Sequence, residues 1–97
     1  MRVIPNPGKE AINLSKHGLD FSRVGELLAQ PCLDEPDDRP LGYERETRLR
    51  ITGRIGMRVF VLIVEPVELD DGEIAARPIS LRDATRAEER HYWRWHG

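Results

Sequence analysis

The sequence predicts an α+β domain, with helices before and after a small antiparallel sheet. Three observations carry this. Two stretches, one before residue 18 and one after residue 80, hold helix-forming residues between start and stop signals. Residues 46–51 alternate polar and apolar with a period of two, and Val59 to Val64 form an unbroken apolar run. The connections between the strand-like segments are short, which suits antiparallel neighbours.

In PNPGKEAINLSKHG, Asn6 suits a helix N-cap and Pro7 the first helical position, where its missing N–H costs nothing. Gly18 suits the left-handed position past the end. This gives a helix over Pro7 to His17, expected to turn Ala11 and Leu14 inward. LDFSRVGELLAQP reads as a second helix, with Asp20 as cap and Phe21, Val24, Leu27 and Leu28 as its apolar face. Pro31 closes it. PCLDEPDDRP reads as a loop on composition.

In the first strand Thr47, Leu49 and Ile51 should be buried and Glu46, Arg48 and Arg50 presented. Gly53 and Gly56 mark a turn. MRVFVLIVE, apolar on both faces, belongs at the centre of a sheet. PVELDDGE supplies a hairpin loop around Asp71-Gly72. IAARPIS is a third strand, which Pro78 confines to an edge or a bulge. Finally, SLRDATRAEERHYWRW reads as a helix, with Ser80 and Asp83 at capping-box spacing.

A chain of 97 residues, 33% charged and 39% apolar, makes one domain over residues 1–97. The apolar run is too short to span a membrane, MRVIPNPGKE lacks the stretch of a secretory signal, and Cys32 is the only cysteine. A cytoplasmic protein without a membrane partner is expected. The net charge of −2 hides an asymmetry, because thirteen of the fifteen basic residues are arginines. Six of these lie between Arg39 and Arg58, against two acids. Such a strip suits a local anion site, arginine being able to grip phosphate or carboxylate with two donors. It equally suits a solvated strand face whose arginines pair with neighbouring acids.

Arg82, expected in the first turn of the last helix, would stand beside unpaired backbone N–H groups, a sound phosphate site, or be an ordinary surface arginine. Glu46 beside Arg48 suits a carboxylate that takes a proton, or a cross-strand charge pair. Histidine exchanges protons near neutrality, so His17 suits an acid or base, and with Lys16 it equally suits a helix terminus. By themselves these two fit the terminus better. No zinc-ligand spacing links His17, Cys32, His91 and His96, and neither metal nor cofactor is expected. Tyr92, Trp93 and Trp95 suit packing of the last helix better than base stacking.

Together these stations resemble the BrnT toxin family. Asn13, Lys16, His17, Gly18 and Phe21 carry the first part of the likeness, and Glu46, Arg48 and Gly53 the second. Within ISLRDATRAEERHY it rests on Ile79, Ser80, Arg82, Ala84, Thr85, Glu89, Arg90 and Tyr92. It spans about residues 9 to 92. The chain departs from the family in having Pro5-Asn6-Pro7 in place of Trp-Asp-Pro and Leu81 in place of alanine. Its Arg50 is also more polar than the family's usual residue.

The resemblance implies a RelE-like fold with helices beside a curved antiparallel sheet. It implies a ribonuclease of a type II toxin–antitoxin system that inhibits translation until a ribbon-helix-helix antitoxin of the BrnA type neutralises it. It further implies a toxin–antitoxin hetero-oligomer that reaches operator DNA through the antitoxin. Metal-independent RNA cleavage would then use Arg48 and Arg82 on the phosphate. Glu46 or His17 would take the 2′-hydroxyl proton, and Lys16 or His17 would assist the leaving oxygen. The alternative is a non-catalytic binding protein, or a degenerate toxin, holding an acidic partner on its arginine face.

Overall fold

The computed structural model describes residues 1–37 and 48–96. Their elements run β1 (Arg2–Val3), α1 (Pro7–His17), α2 (Val24–Leu28), β2 (Leu33–Pro36), β3 (Leu49–Ile55), β4 (Arg58–Glu68), β5 (Ile74–Asp83) and α3 (Arg86–His96). The five strands form one open sheet in the order β1-β5-β4-β3-β2. Pairing is antiparallel from β2 through β5, but β1 joins β5 in parallel, so the sheet is mixed.

Alternation along β3, β4 and β5 gives the sheet two covered faces. Ile51, Leu62, Val64 and Leu81 point to one side, where Phe21, Val24 and Leu27 complete the core. Gly53 is part of β3 rather than of the turn, for a steric reason. A Cβ there would stand 2.8 Å from Leu27 Cδ2, so glycine lets α2 approach the strand. Gly56 (φ 63°) makes the tight turn instead. Val59, Val61 and Ile63 point to the opposite side, together with Arg50 and Thr52, and there α3 lies over β3 and β4. Tyr92 is wholly buried, with its hydroxyl donating to Pro31 O at 2.7 Å. Trp95 remains 66% exposed.

The helix α1 has the expected ends, with Pro7 in the first turn and Gly18 left-handed at φ 69°, its N–H donating to Leu14 O. Its orientation differs from expectation. Ala11 is exposed and Leu14 is 52% exposed, whereas Asn13 is buried. The reason is that α1 closes a strand edge instead of laying an apolar stripe on a sheet. β1 pairs only with Ala75 and Ala76, which leaves the outer edge of β5 open further along. Asn13 closes it: Nδ2 donates to Leu81 O (2.8 Å) and Leu19 O (2.9 Å), and Oδ1 accepts from Leu81 N (2.9 Å). Asn6 does the same for Pro78, donating to its carbonyl at 2.9 Å instead of capping its own helix. A buried strand edge needs hydrogen-bond partners, and a side-chain amide supplies both kinds.

Three other elements differ. α2 spans five residues only, because Asp20 accepts from Ser22 N in a local turn instead of capping. β2 occupies the segment expected as loop, since β3 offers it an unpaired edge and Arg50 meets Glu35 at 3.2 Å across the pair. The register slips opposite Ile63 and Val64, leaving Ile79 unmatched, so Pro78 sits beside a bulge as expected.

The start of α3 is the correction with most consequence. β5 continues through Asp83, and Thr85, not Ser80, caps the helix. Glu88 N donates to Thr85 Oγ1 (3.2 Å) and Thr85 N donates to Glu88 Oε1 (2.8 Å). A capping box needs a side chain that reaches back one turn, which glutamate does and aspartate does not. Arg82 therefore stands on a strand and not in the first turn of the helix.

Candidate active site

A cleft opens between α1 and the sheet face that also carries α3. Lys9, Ile12, Asn13 and Lys16, spaced three, one and three residues apart, bring one face of α1 to it, and His17 joins from the last turn. Arg48, Ile63, Ile79 and Ser80 provide the opposite side. The bulge at Ile79 places both Ile79 and Ser80 in this lining. No acid lines the cleft among the described residues, so three permanent cations, Lys9, Lys16 and Arg48, face one space. In a chain of net charge −2 this is a local concentration of positive potential.

The structure thus brings together Lys16, His17 and Arg48, which the sequence separates by about thirty residues. Glu46 lies outside the described residues. Arg82 does not line the cleft but flanks it. Arg50, Ile63 and Ser80 form one cross-strand row, and Thr52, Val61 and Arg82 form the next. Beyond that row a second depression is lined by Glu35, Arg50, Thr52, Ala87, Glu88 and His91. Lys9 is a cleft residue that motif reading missed. Its seven-residue spacing from Lys16, two helical turns, is the signal that places both lysines on one face.

Much of the arginine strip is committed to structure. Arg50 pairs with Glu35, and Arg58 grips Asp83 with two bonds of 2.7 Å. Arg54 donates to Gln30 and lies over the Trp93 ring at 6.0 Å. Burial, and then Asp34, pushes the Cys32 thiol up to about 11, and Sγ donates to Gln30 O, surroundings that disfavour the thiolate. Among the described residues no group of three His, Cys, Asp or Glu side chains converges as a metal site. No helix there is long and apolar enough to cross a membrane.

Arg82 is also held. Nη1 donates to Glu88 Oε1 at 2.8 Å and Nη2 to Oε2 at 3.0 Å, a two-pronged ion pair. The Arg82 hydrogen bond is the main reason that the Glu88 carboxyl falls from an ordinary 4.5 to about 2. A depressed folded-state value means that the pair stabilises the protein above pH ~4.5. That stability is lost as the pH falls toward 2. Glu88→Gln is expected to cost on the order of 1–2 kcal/mol at pH 7, discounted because the pair is partly exposed. Urea unfolding should show this gap narrow below pH ~4.5 and close near pH 2. A gap that persists unchanged at pH 2 would refute the ion-pair account.

One family model matches residues 6–88, described as ribonuclease toxin, BrnT, of type II toxin-antitoxin system. No curated protein matches the chain.

Proposed function

Because the chain belongs to the BrnT family of ribonuclease toxins of type II toxin–antitoxin systems, we propose that it is a metal-independent endoribonuclease whose reaction centre is the α1 cleft. The observation that carries this reading is the convergence of Lys9, Lys16, His17 and Arg48 on one space that no acid lines among the described residues. RNA cleavage of this kind needs no redox group. The 2′-oxygen loses its proton and attacks phosphorus, the bond to the 5′-oxygen breaks, and that oxygen takes a proton. The products are a 2′,3′-cyclic phosphate and a 5′-hydroxyl.

The phosphorane formed on the way carries more negative charge than the ground state. Cations fixed around it therefore favour the transition state over the substrate. Arg48 and Arg82 hold the phosphate, while Lys9 and Lys16 attract the adjoining backbone. His17 or Glu46 takes the 2′ proton, and His17 or Lys16 serves the leaving oxygen. Single-stranded RNA is the substrate, since only a flexible backbone reaches in-line geometry.

The same reading makes the protein an inhibitor of translation in the cytoplasm. It is neutralised in a hetero-oligomer with a BrnA-like ribbon-helix-helix antitoxin, which supplies the operator DNA contacts. The RelE-like fold is part of this proposal, supported by an open sheet with helices on both sides.

The test is cleavage of a single-stranded RNA in EDTA by the purified protein, with product ends identified. Wild type should release 2′,3′-cyclic phosphates, and His17→Ala should be slowed by about 100-fold or more. Absence of wild-type cleavage in EDTA would sink the metal-free mechanism. Undiminished cleavage by His17→Ala would remove His17 from the chemistry.

A further inference from the structure

We infer that Glu88 is the positioning residue of Arg82, turning one chosen edge of its guanidinium toward the RNA phosphate. This rests on the reading that Arg82 contacts that phosphate. The observations are stereochemical. A guanidinium has five N–H donors in a fixed plane. Arg82 uses one Nη1 hydrogen on Asp83 O at 3.2 Å and the other on Glu88 Oε1, and one Nη2 hydrogen on Glu88 Oε2. Among the described residues, Nε and the second Nη2 hydrogen have no partner. These two donors are parallel and lie along one edge of the group, a fork that fits two phosphate oxygens.

Glu88 is suited to hold this orientation because it is itself held. Its Oε1 also accepts the Thr85 N–H, and its own N–H is bound by Thr85 Oγ1. Swinging the carboxylate away from Arg82 would open the α3 cap as well. Glu88 is therefore a fixed support and not a gate that RNA must displace. It also links two elements, joining a β5 side chain to the first turn of α3. Arg82 stands one cross-strand row beyond Ser80, which lines the cleft, and Glu88 lines the neighbouring depression. A phosphate gripped by this fork would lie in the row beside the cleft.

A double-mutant cycle on RNA cleavage tests the inference, with kcat and KM separated for wild type, Glu88→Gln, Arg82→Ala and the double variant. Glu88→Gln keeps the length of the side chain and an oxygen for the cap, but it turns an N–H group toward Arg82. It is expected to lower kcat about 10- to 100-fold, with a smaller change in KM. Arg82→Ala should lower kcat about 100- to 1,000-fold. The double variant should be no slower than Arg82→Ala, because Glu88 acts only through Arg82. Thr85→Ala, which removes the Oγ1 cap but keeps the ion pair, should retain near-wild-type kcat and thereby separates a loosened helix from a misplaced arginine.

Wild-type or faster cleavage by Glu88→Gln, alongside a disabled Arg82→Ala, would overturn the inference alone. So would a Glu88→Gln defect of equal size in the Arg82→Ala background. Full activity of Arg82→Ala would remove Arg82 from the reaction, and the underlying reading with it.

Discussion

Asn13→Leu is expected to destabilise the protein by about 3 kcal/mol, more than any apolar truncation on the same helix. The substitution keeps the branched heavy-atom shape and favours the helix, but leaves Leu81 N–H, Leu81 C=O and Leu19 C=O without the amide that now joins them. Each buried polar group left unmatched costs about 1–3 kcal/mol, and water entering the opened edge recovers part of the sum. A domain this size has roughly 5–15 kcal/mol in total. At an m-value of about 1.5 kcal/mol/M the urea midpoint should fall by roughly 2 M. The control is Leu14→Ala. In a helix that buried its leucine this would cost about 2–5 kcal/mol. Here Leu14 is 52% exposed, so a change within about 0.5 kcal/mol is expected. If Leu14→Ala proves the costlier of the two, α1 does not close the β5 edge as described.

The two halves of this helix are linked through that asparagine. Asn13 lies in the middle of the face that carries Lys9, Ile12 and Lys16, so the bonds that dock α1 also fix where both lysines point. His17 follows immediately, before the left-handed Gly18 turns the chain away. A terminus that read as a stop signal is also what ends the helix with its cations over the cleft. A helix terminus at Lys16-His17-Gly18 is thus compatible with the proposed chemical role of Lys16 and His17.

The termini of α1 were legible in the sequence because Pro7 and Gly18 act on their own backbone. Its facing was not legible, because the partner of Asn13 is a strand edge 68 residues away. An apolar periodicity cannot report a polar docking surface. β2 was missed for a related reason: a short acidic segment becomes a strand only because β3 stands beside it. The α3 cap was read from the spacing of Ser80 and Asp83, whereas the longer side chain of Glu88 closes the box with Thr85. That reading put Arg82 on the helix, whereas it stands on β5. At the candidate site, Lys16, His17 and Arg48 come together as the motif order suggested, while Arg82 and its glutamate needed the sheet register to be placed.

Arg48→Ala is expected to reduce RNA cleavage by about 100- to 1,000-fold in kcat, whereas Lys9→Ala should act on binding. The two residues line one cleft, and their supports differ. Arg48 directly precedes β3 and lines the cleft with Ile63 and Ser80, where the adjoining strand can hold a donor against developing charge. Lys9 stands two turns up α1 from Lys16, on a flexible stem, and suits attraction of the strand more than transition-state contact. Each lost phosphate contact lowers the slope of log affinity against log salt by about 0.7 for single-stranded RNA. Lys9→Ala should therefore lose affinity at low salt and nearly match wild type at high salt, with kcat preserved. Arg48→Ala should stay slow at saturating RNA at any salt concentration. A Lys9→Ala enzyme with a collapsed kcat and intact affinity would move the scissile phosphate toward the N-terminal end of α1, away from His17. The geometry of the cleft makes that the least expected result, because His17 and Arg48 would then flank an empty space.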